Sequence, residues 1–319
     1  MGRIEVFSVV DATYFVGGVG LANTVAHHLP SATITFLDGG LRPDQRRWLE
    51  ARHAVVDPPT ARHLHAAKPF PALHLDRLDP DDVVVVADAD VVATGSWDSL
   101  VARARSGVLV AANDPSDRHF EEWCTLLGLS GPLQVRPYIN SGLTFWSVRH
   151  HAALLRRWWD LCALLGEAGG AHTLGPSCVF GDQDVVNALL MTEFTDTPVD
   201  VRSYAELAMG HTLPGVRVLD LHGLTCTGPT GPVLALHVLM RPKPWEPAAA
   251  WRLRSPTFAR ILRSAIATDV RTSPPDGPLE PSAIVPWLRP GVVGAACLAV
   301  ATAVARLRRT WRTWRSEHR

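Results

Sequence analysis

Residues 4–10, Ile-Glu-Val-Phe-Ser-Val-Val, are apolar almost throughout and predict a buried strand. A glycine-containing turn follows, then a helix expected around 19–28. The same alternation continues with a strand at 32–37, a helix at 42–52, a short strand at 54–56 and a helix at 66–75. Residues 83–87, Val-Val-Val-Val-Ala, form the continuous apolar run expected of a strand covered on both faces. Strand alternating with helix over the first third of the chain predicts a mainly parallel, doubly wound sheet flanked by helices.

The middle is less regular. Residues 138–148 read as strand–turn–strand, and 150–165 have helical periodicity, with Trp158 and Trp159 as core or interface residues. Residues 182–192 predict a helix opened by acidic side chains, which favour a helix N-terminus. Short strands are expected at 217–221 and 233–236, and no internal repeat is found. Pro274, Pro275, Pro278, Pro281, Pro286 and Pro290 make 272–290 read as a linker. Residues 291–305 are apolar and uncharged, short of the ~18–20 residues of a spanning helix.

Composition narrows the class. A chain of 319 residues with 47% hydrophobic and 19% charged side chains is long and apolar enough for a large core, which excludes disorder. The formal net charge is zero, which excludes a nucleic-acid binder driven by overall charge. That zero conceals an asymmetry: residues 306–319 carry six Arg and one Glu, and the remainder carries a net −5. The basic tail interleaves its Arg with Trp311 and Trp314, the composition of a segment that seeks an anionic lipid surface. Five cysteines with no Cys-x-x-Cys pair are expected as reduced thiols in a cytoplasmic setting. The start runs straight into the first strand, so no signal peptide is expected. The histidine pairs 27/28, 63/65 and 150/151 lack a metal-like constellation and are expected at the surface.

Asp88-Ala-Asp90 follows the 83–87 run directly. Open α/β sheets bind ligands at the carboxyl ends of their strands, and two carboxylates two residues apart can grip one hard divalent cation. Two chemistries fit. Asp88-Ala-Asp90-Val-Val92 matches the first motif of haloacid-dehalogenase phosphatases, with Asp88 as nucleophile. Alternatively both carboxylates hold a metal that neutralises a diphosphate leaving group. Far downstream, His237 ends an apolar run and Lys243 lies six residues later between Pro242 and Pro244, next to Trp245. An imidazole with two carboxylates suits Mn²⁺, and a lysine ammonium suits diphosphate oxygens. The chain has only two lysines, Lys68 and Lys243, so Lys243 beside a candidate metal histidine is a pointed choice.

Five blocks in order make the sequence resemble a family 8 glycosyltransferase of the GT-A fold, the group that includes glycogenin and bacterial galactosyltransferases. They are Val10-Asp-Ala-Thr-Tyr14; Lys68 ahead of Val86-Ala-Asp88-Ala-Asp90-Val91; Tyr138-Ile-Asn140-Ser-Gly142; Gly181-Asp182-Gln183-Asp184-Val-Val-Asn187; and His237-x5-Lys243-Pro-Trp245. The match spans roughly residues 4–260, and both lysines fall on family positions. One residue departs from the pattern: Met240 stands where the family usually has glycine, which puts diphosphate affinity or donor choice in question.

The resemblance implies a GT-A, Rossmann-like α/β domain over 1–265; composition adds a proline-rich linker over 266–290 and an apolar and basic extension over 291–319. It implies a retaining enzyme that moves a hexose from a UDP-sugar to an acceptor (glycan, lipid or protein), with Mn²⁺ or Mg²⁺ as cofactor. Asp88, Asp90 and His237 would hold the metal. Asp11 and Ala12 would meet the uracil, with Tyr14 packing on the base. Lys68, Ala89, Asn140 and Ser141 would border the donor. Asp182, Gln183 and Lys243 would take part in the chemistry, the first two at the sugar and Lys243 at the diphosphate. The phosphatase, or a non-catalytic nucleotide-sugar-binding relative, is the alternative. The expected location is cytoplasmic, peripheral at the inner face of the membrane through the tail.

Overall fold

The computed structural model describes residues 2–59, 66–167, 175–239, 241–248 and 253–317. His63, His65 and Met240 lie outside the described residues.

The first strands form as their apolar runs predict: β1 (Ile4–Val10), β2 (Ala32–Asp38), β3 (Ala54–Val56) and β4 (Val83–Ala87). They pair in parallel in the order β3-β2-β1-β4. Period-two alternation splits β4 between two cores. Val83, Val85 and Ala87 enter one, with α1 (Phe15–His28) and α7 (Pro256–Thr272) packed on it, while Val84 and Val86 enter the other, beneath α5 (Val148–Glu167) and α6 (Asp182–Met191). That is why the run is apolar without interruption.

Beyond β4 the sheet continues with β7 (Ile139–Ser147), β6 (Leu109–Asn113) and β8 (Val199–Arg202). β7 is antiparallel to both β4 and β6, so its first residues lie at the carboxyl end of β4. Residues 138–148, read as strand–turn–strand, are therefore one strand. Asn140 pairs with Ala112 of β6, the register then shifts over Ser141–Leu143, and pairing with both neighbours continues from Thr144, so the irregularity is a bulge within one strand. A small sheet, β5 (Val91–Ala93), β13 (Ala235–Val238) and β9 (Leu207–Gly210), sets His237 directly opposite Val91. Other elements are α2 (Pro43–Glu50), α3 (Asp98–Arg105), α4 (Glu122–Leu126), α8 (Gly291–Glu317) and a sheet of β10 (Arg217–Asp220), β11 (Thr225–Thr227) and β12 (Pro232–Val233).

Other expectations need correction. The helix expected at 66–75 is a 3₁₀ helix at Phe70–Arg77, where Pro69 and Pro71 withhold the N–H donors an α-helix would use. The proline-rich run read as a linker packs instead: Leu279, Ile284, Val285, Trp287 and Leu288 are buried in the same core as β4 and α1. His151 is buried, its Nδ1 accepting the Ser147 N–H at 3.0 Å, because α5 starts directly from the end of β7. Cys124, Cys178, Cys226 and Cys297 are free thiols. Finally, the apolar run and the basic tail are not separate pieces but one 27-residue helix, α8. Its stretch Gly291–Arg308 has a mean hydropathy of 1.5, long and apolar enough to cross a membrane by length and composition, because the helix continues past Ala305.

Candidate active site

A cleft of about 520 Å³ opens at the carboxyl ends of β1 and β4. Asp11, Tyr14, Asp88, Ala89, Asp90 and His237 line it. Lys68, Asn140, Gln183 and Lys243 line it as well, joined by Val9, Leu239 and Arg241, which the sequence had not singled out. Ala12, Ser141 and Asp182 do not line the cleft. Asp182 is buried behind its wall, where its Oδ2 accepts the Ser141 hydroxyl at 2.8 Å and pairs with Lys68 at 3.0 Å.

Each acidic residue is placed by the strand it adjoins. The Asp88 N–H donates to the Gly142 carbonyl at 2.8 Å, tying the turn after β4 to β7. Asp90 immediately precedes β5, and pairing of β5 with β13 brings His237 alongside. The His237 Nε2 lies 3.1 Å from Asp90 Oδ1 and 3.6 Å from Asp88 Oδ2. One ligand atom from each of the three falls within 4.8 Å of the others, a spread that one ion spans with bonds of about 2.0–2.6 Å. Two carboxylate oxygens and an imidazole nitrogen suit a divalent ion of the Mn²⁺ or Mg²⁺ kind. His237 Nδ1 is buried with no hydrogen-bond partner, so nothing competes for the ring's orientation through that atom. The residues fit a divalent metal.

Both lysines of the chain converge on these carboxylates. Lys68 bridges Asp88 at 2.9 Å and Asp182 at 3.0 Å. Burial disfavours its ammonium, but the Asp182 and Asp88 charges outweigh that and hold Lys68 above the ordinary lysine range. Lys243 is buried, ion-paired with Asp90, and donates to the Val238 carbonyl at 2.6 Å. Burial works against the Asp90 carboxylate, yet His237 and Lys243 hold it well below the usual range. Tyr14 lies under the Lys243 ammonium, 5.6 Å from nitrogen to ring centroid, and its N–H donates to Asp11 Oδ1 at 2.7 Å. Burial, then the Asp90 and Asp88 charges, push its hydroxyl up, so it stays protonated.

Sequence reasoning missed Asp114. Its Oδ2 accepts from Asn140 Nδ2 at 3.0 Å and from Gln183 Nε2 at 3.1 Å. The oxygen ends of those amides are also engaged, Asn140 Oδ1 by the Gly142 N–H and Gln183 Oε1 by the Ser141 N–H. Both amides are thereby fixed in one orientation. The signal was present: Asn113-Asp114-Pro-Ser closes the apolar strand β6 as Asp88 closes β4.

The comparisons bear on the fold. No family model matches the sequence, and no curated protein matches it. Among solved structures, the galactosyltransferase LgtC in complex with donor and acceptor sugar analogues superposes with a TM-score of 0.50. The match has 17% identity and covers 82% of this chain and 95% of LgtC. The chain has the GT-A fold. An active-site mutant of LgtC matches with a TM-score of 0.48 at 16% identity, over 76% of this chain and 90% of that one. The bifunctional glycosyltransferase WbbM matches with 0.44 at 15% identity, over 77% of this chain and 47% of WbbM. In the GT-A fold of this chain, the cleft at the carboxyl ends of β1 and β4 is where open α/β sheets take their ligands.

Proposed function

We propose that this protein is a retaining glycosyltransferase of the family 8 kind, moving a hexose from a UDP-sugar to an acceptor with Mn²⁺ or Mg²⁺ at Asp88, Asp90 and His237. The observation that carries the reading is the convergence of Asp88 and Asp90 with His237, nearly 150 positions away in sequence, in one cleft with both lysines.

The chain's residues divide the work along the cleft. Asp11 and Tyr14 receive the uridine end, and Asn140 and Gln183, oriented by Asp114, face the sugar. Asp182 acts from behind the wall by holding Lys68 against Asp88. When bound, the metal supplies a Lewis acid that neutralises charge on the diphosphate. Lys243 adds a fixed positive charge where negative charge grows as the sugar–phosphate bond breaks, favouring the transition state over the ground state. The phosphatase alternative leaves His237, Lys243 and the Asp11–Tyr14 block without roles, and its motif belongs after a first strand, whereas Asp88 follows the fourth.

We assign α8 to attachment at the cytoplasmic membrane face. Val292 is 85% and Leu307 71% exposed on α8, with Trp311 and Trp314 further along among the arginines. Apolar area combined with Arg charge favours an anionic bilayer surface.

The test is purified protein with a panel of UDP-sugars and Mn²⁺, scored for UDP release. Release that disappears in Asp90→Ala supports the reading. Phosphate release from simple phosphoesters without UDP-sugar turnover supports the phosphatase. Thermal stabilisation by UDP with no turnover supports a binding relative.

A further inference from the structure

The loop that carries Lys243 is held from two sides by tryptophan indoles. Within the loop, Glu246 acts as a brace. It accepts the Lys243 N–H at 3.0 Å and the Arg241 Nε–H at 2.7 Å, and its own N–H donates to the Lys243 carbonyl at 3.0 Å. Trp245 Nε1 donates to the Thr13 carbonyl at 2.7 Å, and its ring lies so close to Gly17 that a Cβ there would stand 2.5 Å from it. This ties the loop to the start of α1, beside Asp11 and Tyr14. On the other side, Trp287 Nε1 donates to the Pro244 carbonyl at 2.8 Å in a fully buried contact. Trp287 belongs to the 3₁₀ turn Pro286–Leu288, inside the proline-rich run, and is itself buried with Leu288 in the main core.

Resting on the functional reading above, we propose that Trp287 is a positioning residue for the diphosphate end of the site. It fixes the Pro244 carbonyl and so the placement of the Lys243 ammonium. Pro242 and Pro244 have no N–H, so the loop has few backbone donors with which to fix itself. The indole N–H from the C-terminal segment supplies a donor from outside. The site at the end of β4 is thus completed by a residue more than forty positions beyond Lys243, outside the region that matches the family blocks.

The experiment uses the full chain and Trp287→Phe, which keeps an aromatic ring and removes the donor. Affinities for UDP and for uridine are measured in the presence of Mn²⁺, together with Tm. Loss of one buried hydrogen bond on the lysine loop is expected to weaken UDP about three- to tenfold. Uridine, which has no diphosphate, should bind as to wild type. Adding Trp287→Phe to Lys243→Ala should weaken UDP no further, because the effect runs through that ammonium. Ile266→Ala, which removes packing from the same core outside this turn, should lower Tm and leave the UDP-to-uridine ratio unchanged. Trp287→Leu serves in place of the phenylalanine variant if that one does not fold. An unchanged UDP-to-uridine ratio in a folded Trp287 variant overturns the inference, as does an equal loss of both ligands. Wild-type protein that binds no UDP at all refutes the functional reading instead.

Discussion

Gly142 lies between the two halves of the metal site, and Gly142→Ala perturbs it by a single methyl group. A Cβ at this position would fall 2.6 Å from His237 Nδ1 and 2.8 Å from Asn140 Oδ1, and closer still to His237 Cε1. Ordinary contacts between carbon atoms begin near 3.5–4.0 Å, so the imidazole or the backbone must shift by about 1 Å. The ring has little room to yield, because His237 is buried on the middle strand of the small sheet. Moving the backbone instead displaces the Gly142 carbonyl that holds the Asp88 N–H. Either route pulls a ligand away from the other two. Overpacking of this kind costs about 1–3 kcal/mol, so Tm should fall by several degrees with the fold retained. Displacing a ligand's support typically weakens metal binding about 10–100-fold. UDP release from a UDP-sugar is titrated against Mn²⁺ for wild type and variant, with Tm followed at each concentration. The half-saturating Mn²⁺ should rise by that factor, and Mn²⁺ should raise the variant's Tm less at equal concentration. Coincident Mn²⁺ curves for the two proteins would refute the packing argument and the assignment of His237 as ligand together.

Further outcomes follow from other contacts. Asp114→Ala frees both amides, so kcat on the UDP-sugar should fall about 10–100-fold while UDP affinity, set elsewhere in the cleft, stays constant; steady-state kinetics and a UDP titration separate the two. Burial lowers the His151 pKa from 6.5 to about 4, so between those values the unfolded chain binds a proton that the folded one refuses. Stability from this residue is complete above pH 6.5 and is lost as pH falls toward 4, and His151→Gln should flatten that limb of the Tm–pH curve. An unchanged slope would show that other groups set it. Ending the chain at Pro290 removes α8 but keeps Trp287. The shortened protein should move from the pellet to the supernatant when spun with anionic vesicles and should still release UDP; continued sedimentation would remove α8 from the membrane contact.

Most of the site was legible because its chemistry sits at the ends of apolar strands. Asp88 and Asp90 follow a run with no polar break, His237 closes another, and the scarcity of lysine made Lys68 and Lys243 stand out. What was hidden depends on distant pairing. The need for glycine at 142 was hidden, because only the arrival of His237 from β13 shows that its missing side chain makes space for an imidazole. Asp114 belongs to no block, and its importance comes from two amides far along the chain. The prolines of 272–290 suggested a free connector, yet the apolar residues between them, Leu279, Ile284, Val285, Trp287 and Leu288, bury the run. Nor did local pattern separate the 3₁₀ helix at Phe70–Arg77 from an α-helix, since the two place apolar residues at similar spacing over so short a span.

The unbroken course of α8 has a mechanical consequence. A floppy tether would raise local concentration at a surface and leave the mouth of the cleft free to face any direction. A helix of 27 residues, about 40 Å at 1.5 Å per residue, is stiff, and its first turns are anchored in the main core through Leu298 and Ala301. Its root at Gly291 adjoins the turn that grips Pro244. On the attachment proposed above, a surface that holds the far end sets the tilt and height of the cleft as well as its proximity.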